Sequence, residues 1–216
     1  MYLRHIRLAC LTLLLVSAAR AGAANVDHPS IRPGERFEGP LFNVVAPKSE
    51  GWVGLSRNSS GMAFARHGAT EPDSDVAALT VFQIPADSSP EEFLSQITVG
   101  TAKEVPAPRF EVIRSRIELS QARPYTCVKY EATSIDHGKS TLFSKKQPLQ
   151  LQVVALYCRH PQRPDLGFAV SYSHRGKALS TAIEVEAESF IDSIEVVSPQ
   201  EQPNKSYMDS SRQTRE

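Results

Sequence analysis

Two short runs carry the side chains best suited to chemistry. Tyr157-Cys158-Arg159-His160 and Tyr172-Ser173-His174-Arg175 each bring a phenol, an imidazole and a guanidinium close together in the chain. Such groups can hold an anion, and an imidazole can carry a proton near neutral pH. Tyr157, Arg159, His160, Tyr172, His174 and Arg175 are therefore the candidate binding residues. His160 or His174 would be the proton carrier if the chain were an enzyme with a dispersed site. Both runs end strands, joined by a loop of about six residues (162–167). In a hairpin the end of one strand faces the start of the next. The two runs then fall at opposite sheet ends, about 20 Å apart for six-residue strands at ~3.3 Å per residue. Two separate edges are expected rather than one pocket. Strand capping and cation–π support near the cysteines is the plain alternative.

Other templates for catalysis fail, and no catalytic residue is assigned. Gly54-Leu55-Ser56-Arg57-Asn58 lacks the closing glycine of a nucleophile elbow. No phosphate-binding glycine loop occurs. Asp73-Ser74-Asp75 resembles the start of a calcium loop, but Ala77 and Ala78 stand where a ligand and a glycine are needed. His28, His67, His137, His160 and His174 have no partner at metal-ligand spacing, so neither metal nor cofactor is expected. With 24 Lys+Arg against 24 Asp+Glu the chain has no basic excess, which argues against a nucleic-acid partner.

Residues 1–23 read as a signal peptide. Arg4, His5 and Arg7 precede an apolar run over 8–19, and Ala21-Gly22-Ala23 offers a small-x-small site with cleavage after Ala23. That run is shorter than the ~20 residues of a spanning helix, and no later window approaches one, so the mature chain has no transmembrane segment. Processing removes three arginines and no acid, leaving 21 basic and 24 acidic side chains, a net charge of −3. The expected location is periplasmic or secreted. Cys10 leaves with the signal, and Cys127 and Cys158 remain. In an oxidising compartment an isolated pair is most simply a disulfide. If residues 125–133 and 149–158 form an antiparallel hairpin, pairing 127 with 158 also pairs Val128 with Tyr157 and Lys129 with Leu156. Both sulfurs then lie on one sheet face.

These groups need a scaffold. Residues 24–36, with Pro29 and Pro33, read as a flexible linker, and 198–216 as a disordered tail too poor in apolar area to fold. Between them, 37–197 is one domain. Short strands are expected at 42–46, 52–56 and 62–66, the last two joined by the turn Asn58-Ser59-Ser60-Gly61. Residues 76–84 are apolar on both faces, which predicts a strand at the middle of the sheet. Ser89, Pro90 and Glu92 spell a capping box opening a helix whose Phe93, Leu94, Ile97 and Thr101 share a face. Residues 110–119 alternate, with Ile113, Ile117 and Leu119 inward. Arg114 and Arg116 lie outward, either as a basic strip or as a solvated face that blunts self-association. Another strand covers 167–173. A last helix over 178–193 carries the stripe Leu179, Ile183, Ala187, Phe190 and leads into a short strand at 195–197. Trp52, beside a turn, reads as core. The order gives an α+β fold, a mostly antiparallel β-sheet covered by helices.

Three segments resemble the PsbP-like superfamily of exported α+β proteins. They are Val44-Val45-Ala46-Pro47 running to Gly51-Trp52-Val53, the helix start Ser89-Pro90-Glu91-Glu92-Phe93-Leu94, and the closing Ala187 to Val196 helix–strand unit. The resemblance covers 37–197 and implies an α/β/α sandwich with a non-enzymatic binding or assembly role. It carries over no functional residue, and the cysteine pair is not part of its pattern. The expected partner is an envelope protein or a small ligand. A structural envelope protein whose tail tethers a partner is the further alternative.

Overall fold

The structure is a computed structural model that describes residues 28–68, 72–138 and 147–197. The signal peptide expected over 1–23, residues 24–27 of the expected linker and the tail expected over 198–216 lie outside the described residues. The elements follow as β1 (Arg36–Glu38), β2 (Phe42–Val45), β3 (Val53–Asn58), β4 (Gly61–His67), β5 (Ser74–Gln83), α1 (Pro90–Glu104) and β6 (Phe110–Ser120). Then come β7 (Cys127–Asp136), β8 (Leu149–His160), β9 (Arg163–Gly176), α2 (Ile183–Asp192) and β10 (Glu195–Val196). Seven strands form one antiparallel sheet in the order β3-β4-β5-β9-β8-β7-β6, and β1-β2-β10 form a small second sheet. The α+β class read from the sequence is what the strands and helices build.

A helix covers each face of the large sheet. On one face α2 buries Ile183, Ala187 and Phe190 against Phe64, Leu79, Val170 and Tyr172, with Phe42 and Val44 of β2 joining from the small sheet. On the other, α1 buries Phe93 and Ile97 against Val128, Tyr130, Ala155, Tyr157 and Ala169. The α1 start is the capping box: Glu92 N donates to Ser89 Oγ at 3.1 Å and Ser89 N to Glu92 Oε2 at 2.8 Å. This pair satisfies backbone donors that a helix leaves open at its first turn.

The cysteine register is the expected one. Cys127 pairs with Cys158, Val128 with Tyr157 and Lys129 with Leu156. The sulfurs lie 2.11 Å apart, the distance of a disulfide. Arg159 N donates to Thr126 O at 2.9 Å, so 126 and 159 are a hydrogen-bonded pair and 127 and 158 the adjacent non-hydrogen-bonded one. Cα atoms come closest at such positions, here 4.1 Å.

Several expectations need correction. β5 is third of seven rather than central, and β9 takes the middle place. Its Asp75, Ala77 and Leu79 are buried under α2, but Val76, Ala78 and Thr80 are only half-buried because the α1 cluster lies over β7, β8 and β9. In β6 the register shifts between Val112 and Arg114, leaving Ile113 without a partner and 58% exposed. A bulge breaks the alternation that placed Ile113 inward, while Ile117 and Leu119 do pack on the α1 side. β9 starts at Arg163, so a two-residue turn replaces the expected loop over 162–167. α2 starts only at Ile183. Ser180 N donates to Gln152 Oε1 at 2.6 Å, which holds this backbone outside a helical turn and leaves Leu179 48% exposed. Residues 28–36 are not a free linker. Gly54 N donates to Pro29 O and Ile31 N to Trp52 O, both at 2.9 Å, along the outer edge of β3.

Candidate functional site

The two sequence-selected runs separate, as the hairpin argument required, and strand alternation divides each of them again. His174 stands opposite Gln152, whereas Arg159 stands opposite Gly167 at the other end of the β8–β9 ladder. Tyr157 lies in the α1 core at 2% exposure, and burial pushes its phenol well above the ordinary range. Arg159 donates to the carbonyls of Ser88 and, at 2.6 Å, of Ala86, tying down the loop ahead of α1. His160 faces the α2 side, edge-on to Phe42 with ring centroids 5.4 Å apart. Its Nδ1 accepts from Gln162 N at 3.2 Å, and burial holds its pKa below the ordinary value. Arg175 Nε donates to Asp136 at 2.7 Å, where Arg109 Nε and Gly138 N also donate. Burial pushes the Asp136 carboxyl upward, but these donors outweigh it and hold it below the carboxylate range.

Only Tyr172 and His174 enter a shared constellation, and its other members were not selected from sequence. The β4–β5 register sets Arg66 opposite Asp75, and the β5–β9 register sets Asp75 opposite His174. All three side chains therefore form a row across the α2 face. Arg66 Nε donates to Asp75 Oδ2 at 2.9 Å, and His174 Nδ1 lies 2.8 Å from Asp75 Oδ1. Two residues along β9, Tyr172 OH donates to Glu186 Oε2 of α2, which also accepts from Arg66 at 2.8 Å. Ser49 of the β2–β3 turn accepts from Arg66 and, at 3.0 Å, from Trp52 Nε1. The Arg66 guanidinium lies 5.0 Å from the Trp52 ring centroid. Burial and the bond to Glu186 push the Tyr172 phenol well above its ordinary range. The guanidinium thus joins sheet, turn and helix through charge-assisted bonds, and it fixes α2 relative to the turn.

The space between α2 and that turn is a cleft of about 310 Å³. Val45, Ala46 and Pro47 form one wall and Val185, Ser189 and Phe190 the other. Ser49 and Glu186 reach the cleft from the network, and the exposed Lys48 stands at its rim. Val185 is 72% exposed on the helix side. The volume is at the lower end of small-molecule sites, and it suits one large apolar side chain. His174 does not line the cleft; Arg66 and Asp75 stand between. Among the described residues no group of three His, Cys, Asp or Glu side chains could hold a metal ion.

The missing members had one sequence signal. Arg66 and Asp75 sit at mirrored places on either side of the polar loop following β4, so a hairpin there brings them together. Glu186 had none, because its contact depends on where α2 lands. No family model matches this chain, and no curated protein matches it either.

Proposed function

We propose that the chain is an exported, periplasmic or secreted, PsbP-like module that binds a protein partner through the α2 cleft and catalyses nothing itself. The observation that carries this reading is the cleft. Its walls are apolar, a 72% exposed valine stands on its lip, and its one carboxylate is engaged by Arg66 and Tyr172. Such a site anchors an apolar side chain of a partner. The cysteine pair at disulfide distance agrees with an oxidising compartment. No helix among the described residues is long and apolar enough to cross a membrane.

A photo-crosslinking residue at Val185, expressed in the native host, tests this directly. One discrete adduct that Val45→Arg abolishes is expected, and the same probe at Val99, exposed on α1, should give none. Equal crosslinking from both positions would reject the cleft as the docking site. One observation favours an enzyme instead: His174 and Asp75 are within hydrogen-bond reach at 2.8 Å. His174→Gln distinguishes the two readings, since partner capture should survive it.

A further inference from the structure

The two edges of the large sheet are treated differently. The chain itself closes the β3 edge through Pro29 and Ile31. Among the described residues no strand lies against the outer side of β6, which is eleven residues long and exposed over Glu111–Arg116. Which backbone groups face outward follows from the cysteine pair. Cys127 and Cys158 are not hydrogen-bonded to each other, so the backbone of Cys127 turns to β6 and pairs with Ser120. Alternation then gives β7 the N–H and C=O groups of Glu118 and Arg116. It leaves those of Leu119, Ile117 and Ser115 pointing out of the sheet. The side chains of Ile117 and Leu119 lie with the α1 cluster, and those of Arg116 and Glu118 lie on the other face, 2.9 Å apart.

We propose that β6 pairs antiparallel with β6 of a second copy, about a two-fold axis at Ile117. In this register Ile117 bonds the partner's Ile117, and Ser115 bonds the partner's Leu119. Arg116 then stands opposite the partner's Glu118, and the reverse pair follows by symmetry. These are non-hydrogen-bonded positions, where facing side chains are closest and opposite charges attract. The neighbouring registers that keep the same backbone pattern are worse. A two-residue slip one way sets Arg116 against the partner's Arg116 on the axis, a repulsion added to its two Glu118–Arg114 pairs, and a slip the other way sets Glu118 against the partner's Glu118 with no opposite-charge pair. Charge therefore selects one pairing, and that pairing also joins the apolar Ile117 and Leu119 of both copies beneath the two α1 helices. Association stops at two copies because a two-fold pairing uses the β6 edge of both, while the Val53 end of each β3 edge is covered by its own chain.

Sedimentation equilibrium of the full exported chain, from low to high micromolar concentration, tests the proposal. A reversible dimer is expected. Arg116→Glu and Glu118→Arg, at side chains 66% and 44% exposed, should each weaken it about tenfold or more by setting like charges across the axis. The double variant should return to within about threefold of the original. Ser115→Pro removes an outward N–H without touching the β6–β7 ladder and should give a folded monomer. A monomer at every concentration overturns the proposal and leaves the charged row as a guard against self-association. A dimer indifferent to the single changes, or a double variant as weak as they are, overturns it equally.

Discussion

Glu104 should make this domain less stable as the solution turns from acid to neutral. It is the last residue of α1 and lies on the same helix face as Phe93, Ile97 and Thr101, turned toward Tyr130 and Tyr157. Burial pushes its carboxyl from 4.5 up to about 7. Among the described residues no hydrogen bond or ion pair compensates the charge, and the carbonyl end of a helix repels an anion. A carboxyl whose pKa is raised on folding stabilises the fold while protonated, and that contribution is lost as pH rises. Below the unfolded value it is fully present. Between about 4.5 and 7 it falls by about 1.4 kcal/mol per pH unit, for a total of about 3 kcal/mol. That total is an upper bound, since water still reaches the half-buried group. Glu104→Gln keeps the shape and removes the titration. Urea unfolding of the two proteins with the cysteines oxidised, at pH 4.5, 6, 7.5 and 8.5, should give nearly equal stabilities at the lowest pH. The glutamine variant should lead increasingly toward pH 7.5 and by a constant margin above it. Every other titrating group cancels in the difference. Parallel pH curves, or a wild-type advantage at pH 8.5, would refute the reasoning.

Three further outcomes are expected. Cys127→Ser should cost about 3–4 kcal/mol in denaturant unfolding, the chain-entropy value for the 31-residue separation, and non-reducing mass spectrometry should find the 127–158 linked peptides. Gly61 has φ +143°, and a Cβ there would overlap the Leu79 carbonyl oxygen. Gly61→Ala should therefore lower stability by about 3 kcal/mol or more, read as a shift in the denaturation midpoint, whereas Gly100→Ala, with open space around its Cα, should not. Asp136→Asn leaves Arg109 and Arg175 without their anion and should cost about 2–3 kcal/mol at pH 7, since both arginines are part-exposed. Because the folded Asp136 titrates below its unfolded value of 3.8, its contribution is present above that pH and disappears as pH falls, so the gap should close in acid.

What could be read beforehand was local, or followed from a single pairing. The capping box of α1 depends on three neighbouring residues, and all the atoms it needs are in one turn. The cysteine register needed only the assumption that two nearby strands form a hairpin. The candidate site was legible in part. Tyr172 and His174 were selected, yet their partners come from β4, β5, the β2–β3 turn and α2. That assembly depends on β5 and β9 becoming neighbours, which no local pattern encodes. The failures have similar causes. The apolar stripe continues through Leu179, but Gln152 of a distant strand bonds the Ser180 backbone and delays α2. The loop expected over 162–167 is strand from Arg163, with Pro164 beyond the last β5 pair at Leu166, on a stretch where β9 has no β5 neighbour.

The small sheet has a consequence for how the domain comes into being. β2 lies between β1, its near neighbour in the chain, and β10, the last strand among the described residues. Arg36 and Glu195, 159 positions apart, clasp at 2.6 Å across that junction. A polypeptide that emerges N-terminus first must hold β2 half-paired until residues 195 and 196 arrive. The small sheet thus closes only after β10 has been made, and a product truncated before β10 would present an open ribbon to any protease it meets.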